Sequence, residues 1–265
     1  MKRRAFLQAS LPLVLLPCCS WQFPNIASAG GSRYYQARQS QLLGEFQGVL
    51  QGAQAMLTPE IGSNRAQAIV QEATARFQKL LPDLPEVGGE QNVNAEFIPI
   101  AAWYASLLPA MQVQNLSAER TGKLIYDLNH FDYASQQAAV LQAEGDKLFS
   151  PASLQRWRQW TTDSQKKEFS ANWVARFIEG DDEFFDFGIE YSECGVVKYL
   201  HSQNAASVAP YVCINDFLKS KAIGSGLERT KTIAAGDGYC NFRYKKGRPV
   251  TQDWNTEIAR LKNRI

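Results

Sequence analysis

The sequence predicts an α+β protein, with a helical N-terminal half and a β-β-α-α-β-β half that forms a small, mostly antiparallel sheet. Two patterns indicate this: apolar residues recur at helical spacing up to about residue 160, and alternation of period two appears after Ser170. The 265 residues are 45% hydrophobic and 20% charged, which suffices for a large core. Because no repeat or low-complexity tract interrupts the chain, we expect one continuous domain over residues 30–265.

The first half contains the apolar spacing of two amphipathic helices, over residues 42–57 and 66–81. Residues 82–92 follow with two prolines and the pair Gly88-Gly89, which predict a loop. A third helix is predicted near Pro99 to Leu108, with Pro109 closing it.

Two further helix starts have capping signals. Ser117 can cap a fourth helix, and Ser150 followed by Pro151 is typical of the start of a fifth. Residues 129–149 lie between these helices and read as loosely helical.

The second half begins with a predicted hairpin. Residues 173–178 are aromatic and β-branched, residues 179–182 form a turn, and residues 185–191 alternate between apolar and polar side chains. A short helix near residues 196–200 and a longer one from Pro210 to Lys221, ended by Gly224, come next. A second hairpin is predicted from residues 227–233 and 239–244, with its turn at residues 236–238.

The first 29 residues have the pattern of an export signal. Lys2, Arg3 and Arg4 precede an apolar stretch too short to span a membrane, and Ala27-Ser28-Ala29 forms a small-x-small cleavage site. The pair Arg3-Arg4 partly matches the twin-arginine signal, with ordinary secretion as the alternative. Cys18 and Cys19 lack the small residue expected before a lipidated cysteine, so we expect an unanchored protein in the periplasm or outside the cell, with no integral membrane span.

Net charge argues against nucleic acid as a partner. The chain carries 28 cationic and 26 anionic side chains, and removal of the three N-terminal cations leaves 25 against 26. A net charge of −1 provides no general electrostatic attraction for a polyanion. We therefore expect a small-molecule partner, and the oligomeric state stays open.

Three cysteines remain in the mature chain: Cys194, Cys213 and Cys240. An odd number permits at most one disulfide in an oxidising compartment, or all three thiols stay reduced. Cys194 lies where the first hairpin meets a helix, and a helix N-terminus can lower a thiol pKa. Simple burial of each cysteine is the alternative, since free cysteine is among the most buried residue types.

Asp216 follows Cys213 by three residues and so lies on the same helix face. A partly desolvated Asp216 would have a raised pKa suited to acid–base work, and dipole compensation at the helix start is the alternative. The 18 and 26 residues that separate the three cysteines fit no close-paired zinc pattern, so we predict no metal and no cofactor. His130 and His201 lack a recognisable catalytic motif, and His201 fits a structural position at a helix C-terminus.

Several motifs together resemble the L-2-amino-thiazoline-4-carboxylic acid hydrolase family. The stretch from about residue 82 to 245 contains them in order; they are Pro85-Glu86-Val87-Gly88-Gly89-x-x-Asn92, Phe187-Gly188-Ile189-Glu190-Tyr191-x-x-Cys194-Gly195, Ala209-Pro210-Tyr211-x-Cys213-x-x-Asp216, Leu227-Glu228-Arg229-Thr230 and Gly236-Asp237-x-x-Cys240-x-Phe242. The resemblance implies a hydrolase that opens a small cyclic amidine or isothiourea at a carbon–nitrogen or carbon–sulfur bond, and the pattern of residues 1–29 adds the expectation that it is exported.

The residues of these motifs can fill the roles that such a ring opening needs, and we hypothesise the following assignment. Cys194 would be the nucleophile or a thiol hydrogen-bond partner, Asp216 the general base or the carboxylate that holds the amidinium, and Cys213 and Cys240 further catalytic thiols lining the pocket. Tyr191, Arg229 and Asp237 would contact substrate, with the Arg229 guanidinium pairing with a substrate carboxylate. A solvated strand-face arginine is the alternative for Arg229.

Two features depart from the family pattern. An export signal is unexpected for an enzyme of cytoplasmic cysteine metabolism, and Asn241 follows Cys240 where an acidic residue is common. A non-catalytic periplasmic binding or sensing module on the same scaffold is therefore the main alternative. An assembly factor with a large apolar surface patch is another.

Overall fold

The structure is a computed structural model that describes residues 31–181 and 183–263. The predicted export signal, with its Arg3-Arg4 pair and its two cysteines, lies outside these residues. The described residues form ten α-helices and four strands. Their bounds are α1 (Arg33–Gln36), α2 (Gln39–Ile61), α3 (Ser63–Leu80), α4 (Phe97–Val113), α5 (Ala118–Ser135), α6 (Ala138–Leu148), α7 (Pro151–Ser164), β1 (Val174–Glu179), β2 (Phe187–Glu193), α8 (Gly195–Ser202), α9 (Ala209–Ile223), β3 (Leu227–Glu228), β4 (Cys240–Tyr244) and α10 (Trp254–Lys262).

The predicted α+β class is confirmed, and so is the β-β-α-α-β-β order of the second half. Helix α4 forms the centre of the helical half, because it packs against α3, α5 and α8 and buries residues around most of its circumference. Helix α9 packs against α5 and α6. Gly145 permits the close approach of α6 to α9, since a Cβ there would lie 2.0 Å from the Ile223 carbonyl oxygen.

The predicted helix caps are confirmed at both serines. Ser117 Oγ accepts a hydrogen bond from Arg120 N, and Ser150 Oγ accepts one from Ser153 N. These side chains satisfy backbone donors that a helix start would otherwise leave without a partner.

The prediction that Pro109 ends the third helix is wrong, because α4 continues to Val113. Proline inside a helix removes one backbone hydrogen bond and costs about 3 kcal/mol. The residues beyond it, Ala110 and Met111, are 2% and 0% exposed. Burial of these residues in the core offsets the free-energy cost of the proline. A prediction from sequence spacing does not include this tertiary contribution.

The four strands form one antiparallel sheet in the order β1-β2-β4-β3. In its central pair, Tyr191 lies opposite Cys240, and alternate residues further along the pair face the same side. The rings of Phe187 and Tyr244 stack at 4.9 Å between centroids. This aromatic face is the side of the sheet that meets the helices.

The second hairpin differs from its prediction, because its first strand covers only Leu227 and Glu228. Beyond these residues the backbone N–H groups donate to side chains, so the pairing of the two strands stops there. Arg229 N bonds Gln252 Oε1, Lys231 N bonds Asn241 Oδ1, and Thr232 N bonds Asp237 Oδ2.

Helices α1 and α10 have no counterpart among the predicted elements. Helix α10 begins with a capping box, in which Asp253 accepts from Thr256 N and the Thr256 hydroxyl accepts from Asp253 N. The sequence Asp253-Trp254-Asn255-Thr256 carries this signal. None of the helices within residues 31–181 and 183–263 combines the length and the apolar character needed to cross a bilayer.

Candidate active site

A cavity of about 420 Å³ lies between the aromatic face of the sheet and the helices packed on it. Its volume falls within the range of roughly 300–1,000 Å³ typical of small-molecule sites. The wall is mostly apolar and aromatic, and it includes Trp157 from α7, Trp173 before β1, and Phe242 and Tyr244 from β4. A ligand of modest size would therefore meet a mainly apolar surface.

Six of the seven predicted site residues line this cavity: Tyr191, Cys194, Cys213, Asp216, Arg229 and Cys240. They come from β2, the start of α8, α9, the segment after β3, and β4. Asp237 is not among the lining residues, because its carboxylate accepts the Thr232 N–H at 2.7 Å within the turn. The structure therefore gives Asp237 a place in the turn and does not support its predicted contact with substrate.

Asp216 and Arg229 form an ion pair in the cavity wall, with Arg229 Nη1 2.5 Å from Asp216 Oδ2. Arg229 Nη2 also donates to the Cys213 carbonyl oxygen at 2.9 Å. The guanidinium lies over the rings of Phe217 and Phe242, at 4.7 and 4.9 Å from their centroids.

The burial of Arg229 excludes one of the two roles considered for it. Its side chain is 1% exposed, which excludes a solvated strand-face arginine. Its two terminal nitrogens donate to Asp216 and Cys213, whereas its Nε has no hydrogen-bond partner among the described residues, so contact with a substrate carboxylate stays a prediction. The arrangement makes Arg229 a positioning residue that holds Asp216 in place.

The backbone of Arg229 is held in turn by the segment before α10 and by α10 itself. Gln252 accepts from Arg229 N and donates to Arg229 O at 2.9 Å, and its Nε2 also donates to Glu257 Oε1. Glu257 pairs with Arg260 at 2.5 Å. The C-terminal segment thus supports the ion pair from outside the cavity.

Burial sets the protonation state of Asp216. It raises the pKa of the carboxyl above its usual range, and the neighbouring Arg229 guanidinium opposes that rise. This direction agrees with the prediction for a partly desolvated acid. The side chain keeps 32% of its surface accessible, which leaves the carboxylate reachable by a ligand in the cavity.

The three cysteines are free thiols. Burial raises the pKa of Cys194 well above its usual range, although the backbone N–H groups of Val196 and Val197 at the start of α8 act in the opposite direction. The expectation that the helix N-terminus lowers this pKa is therefore wrong in its net sign. Desolvation outweighs the helix contribution, so the Cys194 thiol keeps its proton near neutral pH.

Cys213 and Cys240 are also protonated, and both contact Thr232. Burial raises the pKa of Cys213 to about 12, and it raises the pKa of Cys240 as well. Cys240 Sγ accepts from Ile233 N at 3.3 Å and lies 3.7 Å from the Thr232 hydroxyl, which also hydrogen-bonds Cys213. These contacts fix both sulfurs in the wall.

Several wall residues escaped sequence reasoning. Asn94 precedes α4, Glu144 and Lys219 form an ion pair of 2.8 Å, and Lys147 lies in the last turn of α6. Asn94 lies two residues after the family motif that ends at Asn92, which is the one signal that pointed to it.

Neither histidine lines the cavity, and both His130 and His201 are exposed. Across residues 31–181 and 183–263, histidine, cysteine, aspartate and glutamate side chains form no group of three or more placed to hold a metal ion.

The fold and site define an α+β protein with a small-molecule cavity lined by three thiols and one arginine-paired carboxylate. Within that class, the chain belongs to the L-2-amino-thiazoline-4-carboxylic acid hydrolase family, whose sequence model matches residues 91–244, more than half of the chain. No curated protein and no solved structure shows significant similarity to the chain. The family match includes every predicted site residue and excludes the α10 segment that holds Arg229.

Proposed function

We propose that the protein is an exported hydrolase that opens a small cyclic amidine or isothiourea, of which 2-amino-thiazoline-4-carboxylate is the type substrate. One observation carries this proposal: Cys194, Cys213, Asp216 and Cys240 line a single cavity of about 420 Å³ in a member of this family. The pattern of residues 1–29 supports the export part.

The reaction is an addition to the ring carbon between sulfur and nitrogen, followed by loss of the ring sulfur. Cys194 Sγ bonds to that carbon while its proton passes to the ring nitrogen, so nucleophile and electrophile are activated together. The bond from the ring carbon to the ring sulfur then breaks, and the sulfur takes the proton that the ring nitrogen had received. The substrate stays in one piece, attached to Cys194.

Water completes the reaction. It adds to the same carbon, one of its protons passes through Asp216 to the Cys194 sulfur as the bond to that sulfur breaks, and the other proton passes to the nitrogen. The net change is addition of one water, which yields a carbamoyl-cysteine with a free thiol. Asp216 also holds the amidine before this step, because a carboxylate fixed by Arg229 can accept hydrogen bonds from its N–H groups.

The test is incubation of purified mature protein with 2-amino-thiazoline-4-carboxylate. A hydrolase removes the ring absorbance and releases one thiol per molecule consumed. The alternative binding module would raise the melting temperature by mass action and consume nothing. A melting shift with unchanged ring absorbance and no new thiol would contradict the proposal.

The pH dependence of turnover follows from Asp216. The reaction needs the ionised carboxylate, and burial raises its pKa, so we expect kcat/KM to fall as the pH decreases, with a midpoint above the usual value of an aspartate. Arg229 opposes the rise, so Arg229→Gln should move this midpoint to higher pH. Profiles measured from about pH 4 to pH 9 check both points. A midpoint that stays in place in the variant would disprove the positioning role.

A further inference from the structure

The side-chain amide of Asn94 is a buried donor without a partner. Asn94 is 3% exposed and lines the cavity, and its Nδ2 makes no hydrogen bond within the described chain. Most buried polar groups in folded proteins are hydrogen-bonded, and each exception requires an explanation. Here the cavity itself offers one, since a ligand can supply the missing acceptor.

The backbone around this amide is held by a network that ends in the family motif. Asn94 N donates to Asn92 Oδ1 at 2.9 Å, and Phe97 N donates to Asn94 O at 3.0 Å. Asn92 Nδ2 donates to Val87 O at 2.7 Å and to Asn172 Oδ1 at 2.8 Å. The Asn94 donor is therefore held on a fixed backbone before a ligand arrives.

The hydroxyl of Tyr191 is one protein group that the Asn94 amide influences. The Asn94 amide slightly lowers the pKa of the Tyr191 hydroxyl, against the much larger rise that burial causes. The Tyr191 hydroxyl does not accept a hydrogen bond from Asn94 Nδ2, which has no acceptor among the described residues.

The charges of the wall indicate which part of a ligand meets this donor. Asp216 presents acceptors and a negative charge, which match the amidine group of the proposed substrate. Lys147 also lines the cavity, and its Nζ makes no ion pair with a described residue, whereas Lys219 is paired with Glu144. The uncommitted donors of the wall therefore suit an anionic acceptor.

We propose that Asn94 donates its Nδ2–H to the carboxylate of the substrate and so selects rings that carry this group. The inference rests on the proposed function and deepens it. It assigns the acidic substituent of the ring to Asn94 and the amidine to Asp216.

The experiment compares 2-amino-thiazoline-4-carboxylate with 2-amino-thiazoline, which lacks the carboxylate. KM is measured where the ring is turned over, and Kd by calorimetry where it is not. The Asn94→Leu variant keeps nearly the same shape and removes the donor. Its affinity for the carboxylate compound should fall about 10- to 100-fold, the loss expected for a hydrogen bond to a charged group. Its affinity for the bare ring should change less than about threefold.

Asn64→Leu makes the same substitution at an exposed position in α3, and it should change neither affinity. Asn94→Ala repeats the test with a smaller side chain, and melting curves verify that each variant is folded. Equal weakening for both rings, or a wild-type protein that binds them equally or not at all, would overturn the inference. Preference for the carboxylate without turnover would refute the hydrolase proposal alone.

Discussion

Asp216→Asn should reduce turnover by about two to four orders of magnitude, the range typical of a lost acid–base group. The variant should also be less stable by about 3–5 kcal/mol, because it leaves the Arg229 charge buried without its counter-ion. Activity assays and urea unfolding measure the two losses separately. The cavity would keep its shape, since asparagine has nearly the volume of aspartate.

A second substitution separates catalysis from stability. In the double variant Asp216→Asn, Arg229→Met, no buried charge remains without a partner, so most of the lost stability should return while turnover stays low. Glu60→Gln is the matched control, because it removes the partner of Arg120 in an ion pair with a half-exposed carboxylate and should cost less than about 1 kcal/mol. Additive losses in the double variant would show that the pair is not coupled.

The Asp216–Arg229 pair illustrates what the sequence could and could not predict. The spacing of Cys213 and Asp216 correctly placed them on one face of a helix. Arg229, which forms the ion pair with Asp216, lies 13 residues further along the chain and just after β3. The local sequence pattern assigns this segment to a longer strand. The backbone donors there bond to Asn241, Asp237 and Gln252, and such long-range contacts leave no periodic signal.

Asn241 also accounts for one departure from the family pattern. Its Oδ1 accepts from Thr230 N and Lys231 N, and its Nδ2 donates to the Thr230 hydroxyl at 2.9 Å. An acidic residue could accept the two backbone bonds but could not donate the third. Asparagine at position 241 therefore serves to hold the loop after β3, and its presence does not by itself indicate a different substrate.

The helical half was predictable where local chemistry decides the outcome. Capping by Ser117 and Ser150 depends on neighbours within three residues, and both caps formed as expected. The loop before α4 is comparable, since Glu86 Oε1 accepts the N–H groups of residues 87, 88 and 89, and Gly88 adopts a φ of 99°. Pro109 shows the limit, because tertiary burial outweighed the local rule.

Cys194 shows why its position at a helix N-terminus did not predict the direction of its pKa shift. The sequence correctly placed Cys194 at a helix N-terminus, and its backbone N–H groups do favour the thiolate. The depth of the surrounding cavity was not predictable, because Trp157, Trp173 and Phe242 come from three separate elements. Burial in the cavity wall reverses the net shift of the Cys194 pKa, so in the proposed reaction the thiol loses its proton to the bound ring.

Cys194→Ala should therefore abolish turnover, by about three orders of magnitude or more, because it removes the atom that bonds to the ring carbon. Stability should change little, since alanine fills most of the space of a cysteine. Cys213→Ala and Cys240→Ala are matched variants in the same wall, and each should retain more activity than Cys194→Ala. Assays and melting curves on the three variants measure these differences.

A direct observation of the covalent step would complete this test. Ring opening keeps the leaving sulfur attached to the substrate, so acid quenching during turnover should trap an adduct of the full substrate mass on the peptide that contains Cys194. Mass spectrometry of wild type and of Cys194→Ala decides this point, because the adduct must be absent from the variant. Full turnover by a folded Cys194→Ala would instead make water the direct nucleophile, with Asp216 as its base.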